Sequence, residues 1–403
     1  MPMISSDADN APGTVYYAVA MTGVAIVGCF VPEVMLPFGV GIFATSIGDG
    51  FAGLVGQSIE NYNPKIYGNK SLFGSLTNFI CTFISAFIMN CVFIMKLQIW
   101  HIIFISLLAV SLELVTGWGL DNISITWGVT ALTYGFMYFD NITNYLVPIL
   151  LTPFVIAFAI KKNALTKGGV LFAIVIDILI SVSLGNFGFV LLVSFFVLAI
   201  CIDRFKKRIK KSGRGDESEK GDCRDYMQVC ANGLLAAILS VLAFITNEHV
   251  FLVSFAATLA EAMADTAASG FGIAARVTVD PWKMKRCEGG ISGGMSVIGT
   301  FASFVGAYVI AIIAYAFGEV SFPEVCIITL AGFSGGIFDS FLGSLVQVKY
   351  KCTVCEKITE KRMHCGEPTL KHSGLSFIDN DGVNILSGFF AAVISGAVML
   401  LLG

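Results

Sequence analysis

Two carboxylates and a glycine cluster lie close together in the segment 254–300. Glu261 and Asp265 stand one helical turn apart in an apolar stretch, so both side chains face the same way. Carboxylates inside a membrane-grade helix are costly and mark functional sites. Glycines precede the next apolar helix: Gly289, Gly290, Gly293 and Gly294. Bare backbone N–H groups at a helix start favour an anion, so this segment predicts a phosphoryl-transfer site.

Phosphoryl transfer needs Mg²⁺, donors that hold the phosphates, and a positioned nucleophile. Because carboxylates are suitable ligands for Mg²⁺, we expect Asp265, Asp339 and Asp381 to bind the ion, with Glu261 in the same catalytic set. The other interpretation of these carboxylates is structural, as buried polar groups satisfied by neighbouring helices. The sequence holds no Walker A pattern, which excludes a P-loop kinase.

Basic residues and the glycine cluster supply the expected phosphate contacts. We expect the backbone around the cluster to cradle phosphate and the nearby cations to attract the nucleotide: Gly290, Gly293, Gly294, Ser296, Lys283, Lys285 and Arg286. Arg224, at the end of a long basic loop, is suited to bidentate contact with a diphosphate. The alternative for that loop is a solvated segment whose lysines attract anionic lipid.

A cluster of cysteines and histidines lies near the end of the chain. Its members are Cys352, Cys355, His364, Cys365 and His372. The spacing is typical of a structural zinc site with four ligands, formed by the three cysteines and either His364 or His372. The alternatives are three reduced cysteines in a loop, or a redox-active pair without the usual βαβ context.

The composition requires a membrane protein. Of the 403 residues, 56% are hydrophobic and 13% are charged, and the mean hydropathy is +0.81. We predict an all-α, polytopic transmembrane bundle of about thirteen helices, each near the twenty residues that a bilayer needs. Residues 1–14 are polar and lack the pattern of a cleavable signal. The predicted spans are 15–31, 34–56, 72–95, 98–116, 124–138, 143–160, 168–184, 187–203, 226–245, 249–270, 291–317, 321–346 and 379–402.

The basic residues give an expected orientation. Of the 25 lysines and arginines, all except Lys96 fall in loops that follow the even-numbered helices. By the positive-inside rule, these loops are cytoplasmic. We therefore expect a multi-pass protein whose active site lies at the cytoplasmic face.

The first half contains a series of short motifs: Gly48-Asp49-Gly50 with Ala52 and Gly56, Lys70-Ser71-x-x-Gly74-Ser75, Glu113, and Asp121-Asn122. With these motifs, residues 15–138 resemble the phytol kinase and dolichol kinase family, which phosphorylates isoprenoid alcohols with a nucleoside triphosphate. The resemblance implies a catalytic role for Asp49 and phosphate binding by Lys70 and Ser71. Family members usually have further helices before the GDG helix, so we expect this half to be incomplete as an independent enzyme.

A second series of motifs runs through the other half: Arg224, Gln228-Val229-x-x-Asn232-Gly233, Glu261-x-x-x-Asp265-Thr266-x-x-Ser269, Gly290-x-x-Gly293-Gly294-x-Ser296-x-x-Gly299-Thr300, Asp339-Ser340-x-x-Gly343, and Asn380-Asp381-x-Val383-Asn384. From about residue 166 onward the chain resembles the phytyl-phosphate kinase family of integral membrane proteins. The resemblance implies that Asn232, Asn380 and Asn384 contact the nucleotide or its phosphates. Gly270 departs from the family, which often has an acidic residue there.

The two halves also resemble each other. Asp49 corresponds to Asp265, Lys70–Ser75 to Gly289–Ser296, and Asp121-Asn122 to Asn380-Asp381. We predict four regions: a polar tail at 1–14, a phytol/dolichol kinase-like membrane unit at 15–160, a phytyl-phosphate kinase-like membrane unit at 161–403, and a zinc-knuckle insertion at 349–378.

The expected function is that of an enzyme, a membrane kinase for isoprenoid lipids. By resemblance, the second half phosphorylates an isoprenyl monophosphate to the diphosphate, the first half acts on the alcohol, and CTP is the donor. The expected cofactors are Mg²⁺ with the nucleotide and a structural Zn²⁺. The partners are the prenyl alcohol or phosphate, CTP or ATP, and membrane lipids, with no nucleic acid.

Two alternatives remain at this point. A transporter or flippase for a phosphorylated isoprenoid lipid would also use buried charges and repeats, but it needs polar groups through the full membrane depth. A CTP-dependent lipid-phosphate cytidylyltransferase would release pyrophosphate and leave a CDP-lipid.

Overall fold

A computed structural model describes residues 13–59, 64–67, 70–116, 119–139, 141–211, 223–275, 277–287, 292–360 and 362–402. The chain divides into two compact units, Met1–Ala157 and Phe158–Gly403. Ten helical segments among the described residues are long and apolar enough to cross a membrane. The predicted fold class, an all-α polytopic membrane bundle, is therefore confirmed.

The first unit is built from short and long helices around one apolar core. Its elements are α1 (Gly13–Phe30), a 3₁₀ turn (Pro32–Val34), α2 (Met35–Phe43), a π-helical turn (Ala44–Asp49), α3 (Gly50–Ser58), β1 (Lys65–Tyr67), β2 (Lys70–Ser71), α4 (Leu72–Phe93), α5 (Ile99–Val115), α6 (Asp121–Tyr138), a second 3₁₀ turn (Ile142–Tyr145) and α7 (Leu146–Lys161). Strands β1 and β2 pair antiparallel. The single helix predicted over 34–56 is thus divided by a π-helical turn that ends at Asp49, a feature often found at functional sites.

In the part of the second unit that the structure describes, there are six helices and two strand-rich loops. Its elements are α8 (Lys167–Lys211), α9 (Tyr226–Thr246), α10 (His249–Gly272), β3 (Thr278–Asp280), β4 (Lys285–Cys287), α11 (Val297–Ala316), α12 (Phe322–Leu345), β5 (Lys349–Lys351), β6 (Ile358–Thr359), β7 (Met363–His364), β8 (Glu367–Pro368), β9 (Leu370–Ser373) and α13 (Asn380–Leu402). The strands form two antiparallel hairpins, β3–β4 and β7–β8, and a sheet of order β6-β5-β9. The predicted insertion at 349–378 therefore contains β-structure.

Helix α8 differs from the prediction of two separate spans at 168–184 and 187–203. It runs from Lys167 to Lys211 and bends sharply at Gly185, where φ is 58° and ψ is −140°. These dihedral angles lie outside the helical region and are accessible to glycine at little cost. The apolar pattern predicted the two helical segments on either side of Gly185. It could not predict that they join in one bent helix, because the bend depends on the conformation of a single residue.

Helix α10 is the centre of the second unit. Its residues from Val253 to Ala264 are all buried, and it packs against α8, α9, α11, α12 and α13. Small residues on the neighbouring helices allow close approach to α10. An added Cβ at Gly332 of α12 would lie 2.7 Å from Ala260 Cβ, and one at Gly335 would lie 2.5 Å from Glu261 Cγ. Close packing of small residues is typical of helices within membranes. Large apolar side chains such as Phe301 and Phe389 instead lie exposed on the outer faces.

Candidate active site

Helix α10 places the two predicted carboxylates inside the second unit. The Glu261 side chain is buried, at 3% exposure, and lies between Gly335 of α12 and Gly388 of α13. Its Oε1 atom has no hydrogen-bond partner among the described residues. A buried oxygen left without a partner costs about 1–3 kcal/mol, so this position is maintained against an energetic penalty. Asp265, one turn later, is only partly buried.

Asp339 of α12 is linked to Glu261 through Ser387 of α13, and to Asn232 of α9 through Asn384 of α13. The side-chain amide of Asn384 lies between Asn232 and Asp339. With its nitrogen turned toward the carboxylate, that nitrogen lies 3.3 Å from Asp339 Oδ2, and the Asn384 amide oxygen lies 3.2 Å from Asn232 Oδ1. The Ser387 hydroxyl lies 3.5 Å from Asp339 Oδ2 and also contacts Glu261. Four helices thus contribute one continuous polar cluster.

Charged residues from outside the helical core act on this cluster. Asp265 is attracted by Lys206 and Arg224 and repelled by Glu360. Arg224 is itself held by Asp203, with Nη2 2.9 Å from Oδ2. Lys206 and Arg224 therefore act electrostatically on the edge of the carboxylate cluster that Asp265 forms.

The glycine-rich loop before α11 is fixed by contacts to neighbouring segments. Gly293 has φ +85°, and an added Cβ would lie 2.3 Å from Ser344 N, so only glycine fits there. Lys349 Nζ donates to Ser292 O at 2.9 Å, and the Ser292 hydroxyl contacts Glu360. Burial lowers the pKa of Lys349, although Asp280 and Glu360 oppose this effect. Lys349 and Glu360 therefore both hold Ser292, and through it the glycine-rich loop, in place.

The predicted basic contacts lie on the adjacent hairpin. Lys283, Lys285 and Arg286 are exposed on β3–β4 and its turn, and Lys283 Nζ lies 3.8 Å from Asp280 Oδ2. The structure therefore leaves these three side chains on the surface beside the glycine-rich loop and does not bring them into the carboxylate cluster.

Three other predicted contacts have specific structural positions. Ser296 caps α11 by accepting from Gly299 N at 3.1 Å, so the helix begins at Val297 and not at 291. Gly290 lies outside the described residues, and Gly294 precedes the helix. Asn380 and Asp381 begin α13, and Asp381 is buried. Asn384, about one turn later, contacts Asp339.

The first unit has a cluster of different character. Lys70 Nζ lies 3.3 Å from Glu113 Oε1, 3.4 Å from Asp121 Oδ2 and 3.8 Å from Asp49 Oδ1. Asn78 Nδ2 donates to Glu113 Oε2 at 2.9 Å. Burial would lower the pKa of Lys70, but Glu113, Asp49 and Asp121 together raise it. Here one lysine is shared by three carboxylates within the cluster.

The two units share a local construction that gives the register of the repeat. Ser71 accepts from Gly74 N at 3.3 Å and caps α4, as Ser296 caps α11. An added Cβ at Gly74 would lie 3.1 Å from Ala52 O, and one at Gly299 would lie 3.1 Å from Ala268 O. Ser71 therefore corresponds to Ser296, and Lys70 corresponds to Met295. The sequence-based pairing of Lys70–Ser75 with Gly289–Ser296 was wrong in register.

The glycines on either side of Asp49 have different roles, which a pair of substitutions tests. An added Cβ at Gly48 would lie 2.5 Å from Thr82 Oγ1, whereas one at Gly50 would meet nothing within 4 Å. We expect Gly48→Ala to lower the unfolding free energy by about 1–3 kcal/mol through overpacking. Gly50→Ala should leave it unchanged or raise it by less than about 1 kcal/mol.

Thermal unfolding of the two variants in detergent measures this difference. Equal stability of Gly48→Ala and Gly50→Ala would contradict the close packing of α4 against the π-helical turn.

The sequence did not indicate several members of the second cluster. Ser387 was missed because a serine in an apolar helix carries no positional signal. Lys206 and Glu360 lie in segments rich in charge, where no pattern distinguishes one charged residue from its neighbours. Lys349 was counted only as one of many basic loop residues.

Buried carboxylates, amides and flanking cations inside an apolar bundle define a polytopic membrane protein with a polar site built into its second unit. A family model described as integral membrane protein DUF92 matches residues 150–392, and the chain belongs to this family. This match confirms the family resemblance predicted from about residue 166 onward.

Individual relatives agree with this assignment. The chain is 30% identical to an uncharacterized membrane protein of Methanocaldococcus jannaschii, over 48% of this chain and 80% of the relative. It is 22% identical to protein VTE6, chloroplastic, of Arabidopsis thaliana, over 60% of this chain and 67% of the relative. It is 26% identical to phytol kinase of Synechocystis, over 34% of this chain and 60% of that protein. No solved structure matches the chain.

Proposed function

We propose that this protein is a membrane kinase that transfers a phosphoryl group from a nucleoside triphosphate to an isoprenyl monophosphate, and that the second unit performs the reaction. The observation that carries this proposal is the cluster of Glu261, Asp265 and Asp339 beside Lys206 and Arg224. Two further points support the proposal. The chain is similar to a phytol kinase, and phosphoryl transfer requires mainly positioned charges, with little covalent chemistry by the protein.

The donor set of the second unit fits Mg²⁺. Glu261 Oε1, which has no hydrogen-bond partner in the described part of the chain, and the partly exposed Asp265 offer oxygen atoms. Asp339 is already oriented by Asn384 and Ser387. Because Mg²⁺ usually binds one or two carboxylates and shares its other positions with water and phosphates, Asp265 and Asp339 are the residues that would hold it. When bound, Mg²⁺ would neutralise charge on the transferred phosphate.

The proposed transfer to a monophosphate acceptor needs no general base. A phosphate oxygen of the acceptor is already anionic, so it attacks the terminal phosphorus without a base. The bond between that phosphorus and the bridging oxygen breaks, and the nucleoside diphosphate leaves. The obstacle is repulsion between two anions, which Lys206 and Arg224 reduce at the border of the cluster.

An assay with the purified full chain tests the function. We expect terminally ³²P-labelled CTP or ATP to label geranylgeranyl monophosphate as the diphosphate, with CTP the preferred donor. Transfer of label from the α-phosphate of CTP to the lipid, with release of pyrophosphate, would identify a cytidylyltransferase and overturn the kinase proposal. Movement of the prenyl phosphate across liposomes without consumption of nucleotide would identify a transporter.

The proposal also requires the site to face the cytoplasm, where the nucleotide is found. An epitope inserted after Lys283, in the turn of β3–β4, should bind antibody only after permeabilisation of cells. The matched control is the same epitope after Lys96, which should bind in intact cells. Binding to the Lys283 epitope in intact cells would reverse the proposed orientation.

A further inference from the structure

Four potential metal ligands converge in the strand-rich loop between α12 and α13. Cys352, Cys355, His364 and Cys365 each offer a ligand atom, and all four atoms lie within 4.8 Å of one another. His364 Nδ1 lies 3.5 Å from Cys355 Sγ and 3.2 Å from Cys365 Sγ. Tetrahedral zinc with its usual bond lengths separates a sulfur and a nitrogen ligand by roughly 3.5 Å. The spacing therefore matches the edges of a tetrahedral site.

Two β-hairpin turns position these ligands. Cys352 and Cys355 lie in the turn between β5 and β6, which Cys352 N closes by donating to Lys357 O at 2.9 Å. Val354 N donates to Cys352 Sγ at 3.4 Å. His364 ends β7, and Cys365 lies in the turn between β7 and β8, where Cys365 and Gly366 both have positive φ. Two facing hairpins that each supply two ligands form the arrangement of a zinc ribbon.

The sequence left the fourth ligand open between His364 and His372. His364 belongs to the cluster, whereas His372 lies in β9 and outside it. All eleven cysteines of the chain are unpaired, so none of the three is occupied in a disulfide. Four protein ligands fill a tetrahedral zinc site and leave no open position for substrate, which is typical of a structural site.

The same loop reaches the proposed active site. Lys349 lies in β5, which directly precedes Cys352, and it donates to Ser292 O at 2.9 Å. Glu360 follows β6 and contacts the Ser292 hydroxyl. Both partners of Ser292 therefore extend from the hairpin that carries Cys352 and Cys355.

We propose that Cys352, Cys355, His364 and Cys365 bind one structural Zn²⁺, and that the resulting ribbon holds the glycine-rich loop through Lys349 and Glu360. The zinc fixes the β5–β6 hairpin, because a strand pair of this length is too short to be stable alone. The hairpin then fixes Ser292 and, through the chain, the start of α11.

Metal analysis of the purified full chain tests the site. We expect about one zinc per chain, lost in Cys355→Ser and in Cys365→Ser. The matched controls are Cys287→Ser, a cysteine of β4 outside the cluster, and His372→Ala; both should retain the zinc. A well-folded wild-type protein without zinc, or variants of Cys355 and Cys365 that retain it, would overturn the site. This measurement is independent of kinase activity.

Hydrogen exchange tests the connection to the loop. Met295 N donates to Val279 O at 2.8 Å, so its amide reports whether the segment before α11 stays ordered. We expect removal of zinc by a chelator to speed exchange of this amide in the wild type and in Cys287→Ser. Unchanged exchange after complete loss of zinc would overturn the proposed hold on the loop.

Discussion

Asp265→Asn should lower phosphoryl transfer by on the order of 10²–10³-fold, the usual effect of removing one group that stabilises charge in the transition state. Asparagine has nearly the shape of aspartate but lacks its charge, so a metal–nucleotide complex would lose an anionic ligand. Because Asp265 is partly exposed at the edge of the cluster, the substitution should leave folding intact. Initial rates with labelled nucleotide measure the loss, and thermal unfolding in detergent checks the fold.

The matched control is Glu319→Gln, which neutralises an exposed carboxylate of the same unit in the loop between α11 and α12. It should keep the wild-type rate. A rate for Asp265→Asn within a factor of about two of the wild type would remove Asp265 from the proposed metal site, since loss of an anionic ligand costs several kcal/mol.

Lys70→Met should lower the unfolding free energy of the first unit by about 3 kcal/mol, because it leaves Asp49, Glu113 and Asp121 without their shared cation. The Glu113 side chain is only 4% exposed, so water cannot replace the lysine there. Titration with SDS in mixed micelles measures the change. Lys65→Met, which removes an exposed lysine of the same hairpin, should have almost no effect.

A second substitution separates this explanation from simple loss of packing. If uncompensated charge causes the loss, Glu113→Gln in the Lys70→Met background should restore part of the stability, as a double-mutant cycle would show. A double variant no more stable than Lys70→Met would contradict the electrostatic explanation.

The variant Asp49→Asn tests whether the first unit is an enzyme. Loss of alcohol phosphorylation alone would identify a separate kinase, and unchanged rates would identify a scaffold.

The sequence predicted the helices well because bilayer-spanning segments follow from local composition. The predicted span 72–95 is α4, Leu72–Phe93, and the span 249–270 is α10, His249–Gly272. The acids of α10 were also predicted, because a carboxylate in an apolar helix is conspicuous. In both cases the signal lies within about twenty consecutive residues.

Contacts between distant segments could not be predicted in this way. Glu360 and Ser292 are in contact although they are 68 positions apart in the sequence. The contact depends on strand pairing within a loop whose sequence shows only polar and charged residues. The start of α11 at Val297 depends on the Ser296 cap and on Gly293 fitting against Ser344. The register between the two units likewise became visible only from the matching caps at Ser71 and Ser296.

The burial of α10 has a consequence for how the protein is made. This helix has a mean hydropathy of 1.4, the lowest among the spans of its unit, whose other values are 1.7 to 2.4. Its residues from Val253 to Ala264 are buried against other helices, so partition of this helix into the bilayer on its own is only weakly favourable. We therefore expect α10 to insert stably only after α11, α12 and α13 have emerged and can pack around it. The acidic cluster would then enter the membrane as part of an assembled bundle.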